Sequence, residues 1–289
     1  MSMQLSWEMI EAAMPSFVAA SGGYTLAKRG VVTLEDGRRV FIKLATEVTS
    51  QEFISAELKA YHWLQQRGYS HMPQLLLEKD DGFVLPDLSA LDWANQWDNQ
   101  KLSTTLAAMD ELSALTLTEE DKKNLGKSSI PNGWQLFLEK PADFKKLEAR
   151  LEQHPEILRT IHNQTLTSLA RKTDEYMNDT DQLSLIHADV RSDNLAYDAK
   201  NKKVYLIDWN WLGMGRKEVE DVAFLVNVKK SGFRVEEHCP ERLDSVAATA
   251  LMGFWFVQAI TPIWEGGDPQ LRTFQFENAL ICAKWARFF

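Results

Sequence analysis

The stretch Leu185-Ile186-His187-Ala188-Asp189-Val190-Arg191-Ser192-Asp193-Asn194 constrains the chain more than any other. It sets a His, an Asp and an Asn at H-x-D-x-x-x-x-N spacing within ten residues. An apolar run at 183–186 leads in and Leu195-Ala196-Tyr197 leads out, so the polar groups belong at the tip of a tight loop between two short strands. After a turn at 198–203, Val204-Tyr205-Leu206-Ile207 reads as a β-branched and aromatic strand that ends on Asp208. An unpaired carboxylate in that apolar setting needs a cation. Taken alone, Asp208 is equally a turn or cap carboxylate, and an H-x-D triplet arises by chance in many chains, so the groups upstream decide.

Upstream, Gly30-Val31-Val32-Thr33-Leu34 alternates, Glu35-Asp36-Gly37 turns, and Arg38-Arg39-Val40-Phe41-Ile42-Lys43-Leu44-Ala45 returns: a β-hairpin with Lys43 on the second strand. Residues 50–64 then read as a helix with Ser50 as N-cap and Phe53, Ala56, Ala60 and Leu64 along one face. Glu57 adjoins that stripe and is the expected ion-pair partner of Lys43, with Glu52 the alternative. A strand lysine by itself is more often an edge-strand solubiliser. Lysine, helical Glu, loop Asp and Asn, and strand-end Asp in this chain order are, however, the groups that phosphoryl transfer uses. The lysine holds phosphates and is oriented by the Glu, the loop Asp accepts a hydroxyl proton, and the Asn and second Asp hold magnesium.

In these segments the chain resembles the aminoglycoside phosphotransferase and choline kinase family of small-molecule kinases, which share the protein-kinase fold. The resemblance spans nearly the whole chain. Its specific parts are Val40-Phe41-Ile42-Lys43, the Glu57 helix, the 187–194 loop, Leu206-Ile207-Asp208-Trp209 and Glu220-Asp221-Val222-Ala223-Phe224-Leu225. It implies an α+β, two-lobed, protein-kinase-like fold: a small β-rich nucleotide-binding lobe at 1–87 and a mainly helical catalytic and acceptor-binding lobe at 88–289. It implies ATP and Mg2+ as cofactors, Lys43 and Glu57 at the nucleotide phosphates, Asp189 as base, and Asn194 and Asp208 as metal ligands. His187 supports the loop. Asp221 is expected to brace it from behind, unless it is an ordinary helix N-cap. Gly82-Phe83-Val84-Leu85 running into Pro86-Asp87 looks like the hinge, with Leu85 and Asp87 at the adenine edge.

Two departures from the family pattern stand out. Ala188 occupies a loop position where Gly is usual. Arg191 lies two places after the base, where a guanidinium offsets charge on a transferring phosphoryl group or else forms a surface ion pair with Asp193 or Asp198. Neither G-x-G-x-x-G nor G-x-x-x-x-G-K-[ST] occurs. The candidate phosphate loop is Ser21-Gly22-Gly23-Tyr24-Thr25, where Gly22 and Gly23 permit close backbone approach, although a flexible turn is the commoner use of paired glycines.

A formal net charge of −9 disfavours nucleic-acid binding and suits a cationic acceptor. Ten tryptophans suggest aromatic faces at a cleft, although Trp is more often core. Among them Trp93, Trp97, Trp134, Trp209, Trp211 and Trp264 lie in segments that would edge an acceptor, with Asp92, Asp98, Glu265 and Asp268 as carboxylates for an amine. Trp264, Glu265 and Asp268 form the preferred acceptor segment. Two cysteines are too few for a disulfide framework, and no signal segment opens the chain. The apolar 250–264 stretch contains Gln258 and Pro262 and is too short to span a bilayer. A cytoplasmic location with no membrane partner is expected.

Helical spacing recurs at 102–117, in part of 134–144, and at 157–177, 246–257 and 274–288. Only residues 209–220 separate Asp208 from the next helix, which leaves little room to dock a protein substrate. The expected activity is ATP-dependent transfer of the γ-phosphate to a hydroxyl of a small molecule, aminoglycoside-like or choline-like. The alternative is a catalytically silent nucleotide-binding protein on the same fold, against which the intact Lys43, Asp189, Asn194 and Asp208 argue. A metallohydrolase using His187, Asp189 and Asp208 is a distant third, because one His and two acids make no convincing two-metal site.

Overall fold

The computed structural model describes residues 4–20, 27–94, 96–128, 130–264 and 267–286. Gly22, Gly23 and Glu265 lie outside the described residues. The chain forms two compact units, Met1–Thr116 with Asp189–Leu212, and Leu117–Ala188 with Gly213–Phe289. This division by contact is a different line from a lobe boundary after residue 87, since residues 88–116 and the 189–212 segment group with the N-terminal strands.

The first unit is built on the expected hairpin. Strands β2 (Lys28–Thr33) and β3 (Arg39–Leu44) pair antiparallel with Arg29 opposite Lys43 and Val32 opposite Val40. Gly37, at φ 83°, closes the turn in the left-handed region that favours glycine. Strands β1 (Val18–Ala19), β4 (Leu77–Lys79) and β5 (Gly82–Pro86) complete a five-stranded sheet in the order β1-β2-β3-β5-β4. Side chains alternate between its faces. Val32, Val40, Ile42 and Val84 pack on Ile10 and Ala13 of helix α1 (Trp7–Ala13), and Lys43 takes the other face.

Helix α2 (Val48–Gln66) carries Glu57, and here the structure corrects two expectations. Its N-cap is Glu47, and Ser50 is the third helical residue, the two joined in a reciprocal capping box. The buried face runs through Ser50, Ile54, Glu57, Ala60, Tyr61 and Leu64, so Phe53 and Ala56 of the expected stripe sit on its edge. The stripe is turned because the buried Lys43 draws Glu57 to its centre.

Helix α3 (Asn99–Ser113) starts three residues ahead of its apolar repeat, where Asp98 caps it by accepting from Lys101 N at 2.8 Å. Strands β7 (Leu195–Asp198) and β8 (Lys203–Leu206) form a separate antiparallel hairpin. Backbone bonds from Leu206 N to His71 O, and between Asp92 and Tyr197, tie it into the unit.

The second unit is mainly helical: α4 (Glu119–Leu125), α5 (Gly133–Glu139), α6 (Pro141–Arg150), α7 (Pro155–Gln164), α8 (Leu166–Met177), α9 (Lys217–Lys230), α10 (Val235–His238), α11 (Ser245–Ile260) and α12 (Gln270–Trp285). Strands β6 (Leu183–Ile186) and β9 (Gly213–Arg216) pair antiparallel. The 157–177 repeat is two helices, because Thr165 turns left-handed at φ 60° and its hydroxyl caps α8. Pro141 likewise separates α5 from α6 by opening the latter. Helices α5 and α11 meet through glycines: a Cβ on Gly133 would stand 2.1 Å from Gly253 O. That closeness seats the buried Trp134, whose indole donates to Thr249 O at 2.9 Å. The apolar 250–264 stretch supplies most of buried α11, and among the described residues no helix is long and apolar enough to cross a membrane.

Candidate active site

In the first unit, Lys43 Nζ lies 2.6 Å from Glu57 Oε2 and 2.8 Å from Asp208 Oδ1. Lys43 and Glu57 are both buried. Burial pulls the lysine pKa down, but the two carboxylates outweigh it and hold the ammonium above its ordinary value. Burial pushes Glu57 upward against the pull of Lys43, and Glu57 also accepts a hydrogen bond from the Asp208 backbone N–H. Asp208 sits in the left-handed region at φ 66°, ψ 57°, and accepts from Asn210 Nδ2 at 2.6 Å. Asp tolerates that conformation better than most residues.

Ile207 N donates to Asn194 O at 3.0 Å just beyond the Leu195–Leu206 pair, so the β7–β8 hairpin sets Asn194 and Asp208 at the same open end. Asn194 Nδ2 donates to Asp189 at both its backbone oxygen, 2.9 Å, and its Oδ2, 2.8 Å. Asp189 is thereby fixed by the residue five places on. Burial raises its pKa to about 6; Arg191 pulls it down, while Asp208 and Asp193 push it up. Arg191 Nε lies 3.1 Å from Asp193 Oδ1 and 3.4 Å from Asp189 Oδ1, so it holds the ion pair and also stands against the Asp189 carboxylate. Asp198 is occupied in its own turn by Lys200 N and Asn201.

In the second unit, His187 is fully buried and Ala188 adopts φ 66°. Glu220 Oε1 accepts from Ala188 N at 2.6 Å, and the carboxyl also takes the His187 backbone N–H. Burial, with help from Asp221, raises the Glu220 pKa to about 8 despite those donors. Asp221 bonds instead to Lys217 Nζ at 2.6 Å and Arg242 at 3.0 Å. Helix α9 begins at Lys217, so Asp221 lies inside it and is no N-cap. Sequence reasoning missed Glu220. The signal was the Glu220-Asp221 pair, but only helix rotation decides which carboxylate meets the loop backbone.

The remaining candidates have simpler surroundings. Leu85 is buried and pairs with Phe41. Asp87 accepts from Arg39 Nε at 2.8 Å and from Ser89 N at 2.9 Å; these bonds outweigh partial burial and lower its pKa. Trp264 is exposed, and Asp268 accepts from Gln270 N ahead of α12. Asp92 pairs with Lys101, and Asp98 caps α3. Trp134 and Trp209 are fully buried core, whereas Trp211 is exposed with its ring edge-packed on Phe53. Among the described residues no cluster of three or more His, Cys, Asp or Glu is placed to hold a metal. Magnesium needs less from a protein: one or two carboxylates suffice where phosphate oxygens and water complete the shell.

No curated protein matches the sequence. Among solved structures, a spectinomycin phosphotransferase in complex with ADP and spectinomycin superposes at TM-score 0.61 and 13% identity, covering 94% of this chain and 93% of its own. The choline kinase LicA from Streptococcus pneumoniae gives 0.58 and 14%, with 96% of each chain covered. A Plasmodium vivax ethanolamine kinase gives 0.54 and 11%, covering 94% and 84%. These likenesses show an α+β, protein-kinase-like fold. A sequence profile described as the phosphotransferase enzyme family matches residues 19–244, well over half of the chain, and the chain therefore belongs to that family.

Proposed function

We propose that this protein is an ATP-dependent kinase of a small molecule, transferring the γ-phosphate to a hydroxyl group. The observation that carries the reading is the buried Lys43 bridging Glu57 and Asp208 in the unit that also holds Asp189 bonded to Asn194. Lys43 is oriented for nucleotide phosphates by Glu57. A base with pKa about 6 is matched to proton abstraction near neutral pH. The acceptor oxygen bonds to phosphorus, the bond to the ADP leaving group breaks, and the hydroxyl proton passes to Asp189. Arg191, against Asp189, offsets charge on the phosphoryl group.

Asn194 and Asp208 offer an amide oxygen and a carboxylate, an all-oxygen pair suited to Mg2+. A magnesium ion held by these two residues would supply positive charge to offset that of the nucleotide phosphates. Gly22 and Gly23 would cover the phosphates, and the backbone around Leu85 and Asp87 would meet the adenine, with the nucleotide lobe ending near residue 87. His187 supports the catalytic loop, and Asp221 stiffens the helix behind it through Lys217 and Arg242.

For the acceptor we favour an amine-bearing metabolite or antibiotic held near Trp264, Glu265 and Asp268. The net charge of −9 supports this, as do the spectinomycin, choline and ethanolamine named for the similar structures. A cytoplasmic setting, with neither nucleic acid nor membrane as partner, completes the reading. The test is purified protein with γ-labelled ATP and magnesium against aminoglycosides, choline, sugars, homoserine and nucleosides. Label transfer to a hydroxyl of one class is the expected result. Magnesium-dependent ATP binding with transfer to none of them would favour the silent reading.

A further inference from the structure

We infer that Arg29 is a phosphate-binding residue, holding the polyphosphate of a nucleoside triphosphate beside Lys43; the inference rests on the nucleotide-site reading above. Arg29 on β2 stands directly opposite Lys43 on β3. Residues directly opposed on antiparallel strands project from the same face of the sheet. The other face, through Val32, Val40 and Ile42, is filled by α1. Arg29 therefore belongs to the Lys43 face and serves no role in the α1 core.

Charge makes the position informative. Two cations directly opposed on neighbouring strands repel. Lys43 is compensated by Glu57 and Asp208. The other arginines of the hairpin also have partners, Arg38 with Asp36 and Arg39 with Asp87. Arg29 is half-buried, and its side chain has no hydrogen bond or ion pair among the described residues. A half-desolvated guanidinium with no partner among the described residues is costly unless an anion reaches it from outside. Its planar fork matches phosphate oxygens in pairs, a geometry that lysine lacks. The sequence has neither G-x-G-x-x-G nor G-x-x-x-x-G-K-[ST], so a second cation on this face adds charge complementarity that a single glycine pair does not supply.

The test is calorimetric binding of ATP, ADP and adenosine with magnesium to the parent, Arg29→Gln and Arg29→Lys, together with the melting temperature of each free protein. Losing one charge-assisted contact should weaken ATP binding by roughly ten- to a hundredfold. Adenosine binding should stay unchanged, with Arg29→Lys intermediate for ATP. The free Arg29→Gln protein should keep the parent's melting temperature, because Arg29 makes no hydrogen bond or ion pair among the described residues. Unchanged ATP affinity in Arg29→Gln would overturn the inference and leave the nucleotide reading standing. Equal weakening of ATP and adenosine with a lowered melting temperature would assign Arg29 a structural role and overturn it too. A parent that binds none of the three nucleotides removes the site reading itself, and this inference with it.

Discussion

Lys43 and Asp208, 165 positions apart in sequence, meet at 2.8 Å. Their contact joins the first hairpin to the end of the β7–β8 hairpin. It also places a cation among carboxylates that would otherwise repel, since Asp208 raises the pKa of both Glu57 and Asp189.

Removing that cation should therefore cost stability as well as function. Lys43→Met leaves the buried Glu57 with no counter-charge, and losing one partner of a buried pair costs about 3–5 kcal/mol. The double variant Lys43→Met/Glu57→Gln should recover part of that loss, because the stranded charge is gone. Urea unfolding of the three proteins is the check. A double variant less stable than Lys43→Met would show that the pair acts in some other way.

Glu220 should make stability depend on pH. Its pKa is about 8 in the folded protein against an ordinary 4.5. Between those values the folded state keeps a proton that the unfolded state has released. The contribution is complete below about pH 4.5 and lost as pH rises through about 8. Glu220→Gln preserves a neutral acceptor for the Ala188 N–H and removes the titration. It should flatten the decline in stability between pH 5 and 8, by the order of a few kcal/mol. The same slope in parent and variant would place the titration elsewhere.

Ala188 at φ 66° holds a conformation that glycine adopts freely. Ala188→Gly should stabilise the protein by about 1 kcal/mol, the difference between relief of left-handed strain and the added freedom of the unfolded chain. Thermal denaturation would show it as a rise of a few degrees. A fall in melting temperature would mean that the methyl group contributes packing that outweighs the strain.

The hairpin turned at Gly37 and the loop groups Asp189 and Asn194 were legible because local spacing places them: a turn between alternating runs, and an amide five residues from a carboxylate. Glu57 was legible only in part, since its helix was evident but the buried face was not. That face is set by Lys43, a residue of another element. The break at Thr165 had no glycine or proline to announce it. Glu220 was hidden because adjacent carboxylates on a helix point about 100° apart, and the loop backbone selects between them. Arg29 is silent in a motif search, since its meaning comes from standing opposite Lys43.

Phosphoryl transfer with Asp189 as the base is the central claim, and the rate of label transfer from ATP against pH, in the parent and Asp189→Asn, tests it most directly. The parent kcat/KM should rise with pH and level off above about 6, as the carboxylate loses its proton. Asp189→Asn should lower turnover by roughly two to four orders of magnitude while ATP affinity is kept. Turnover within a few-fold of the parent, with the same pH profile, would contradict it.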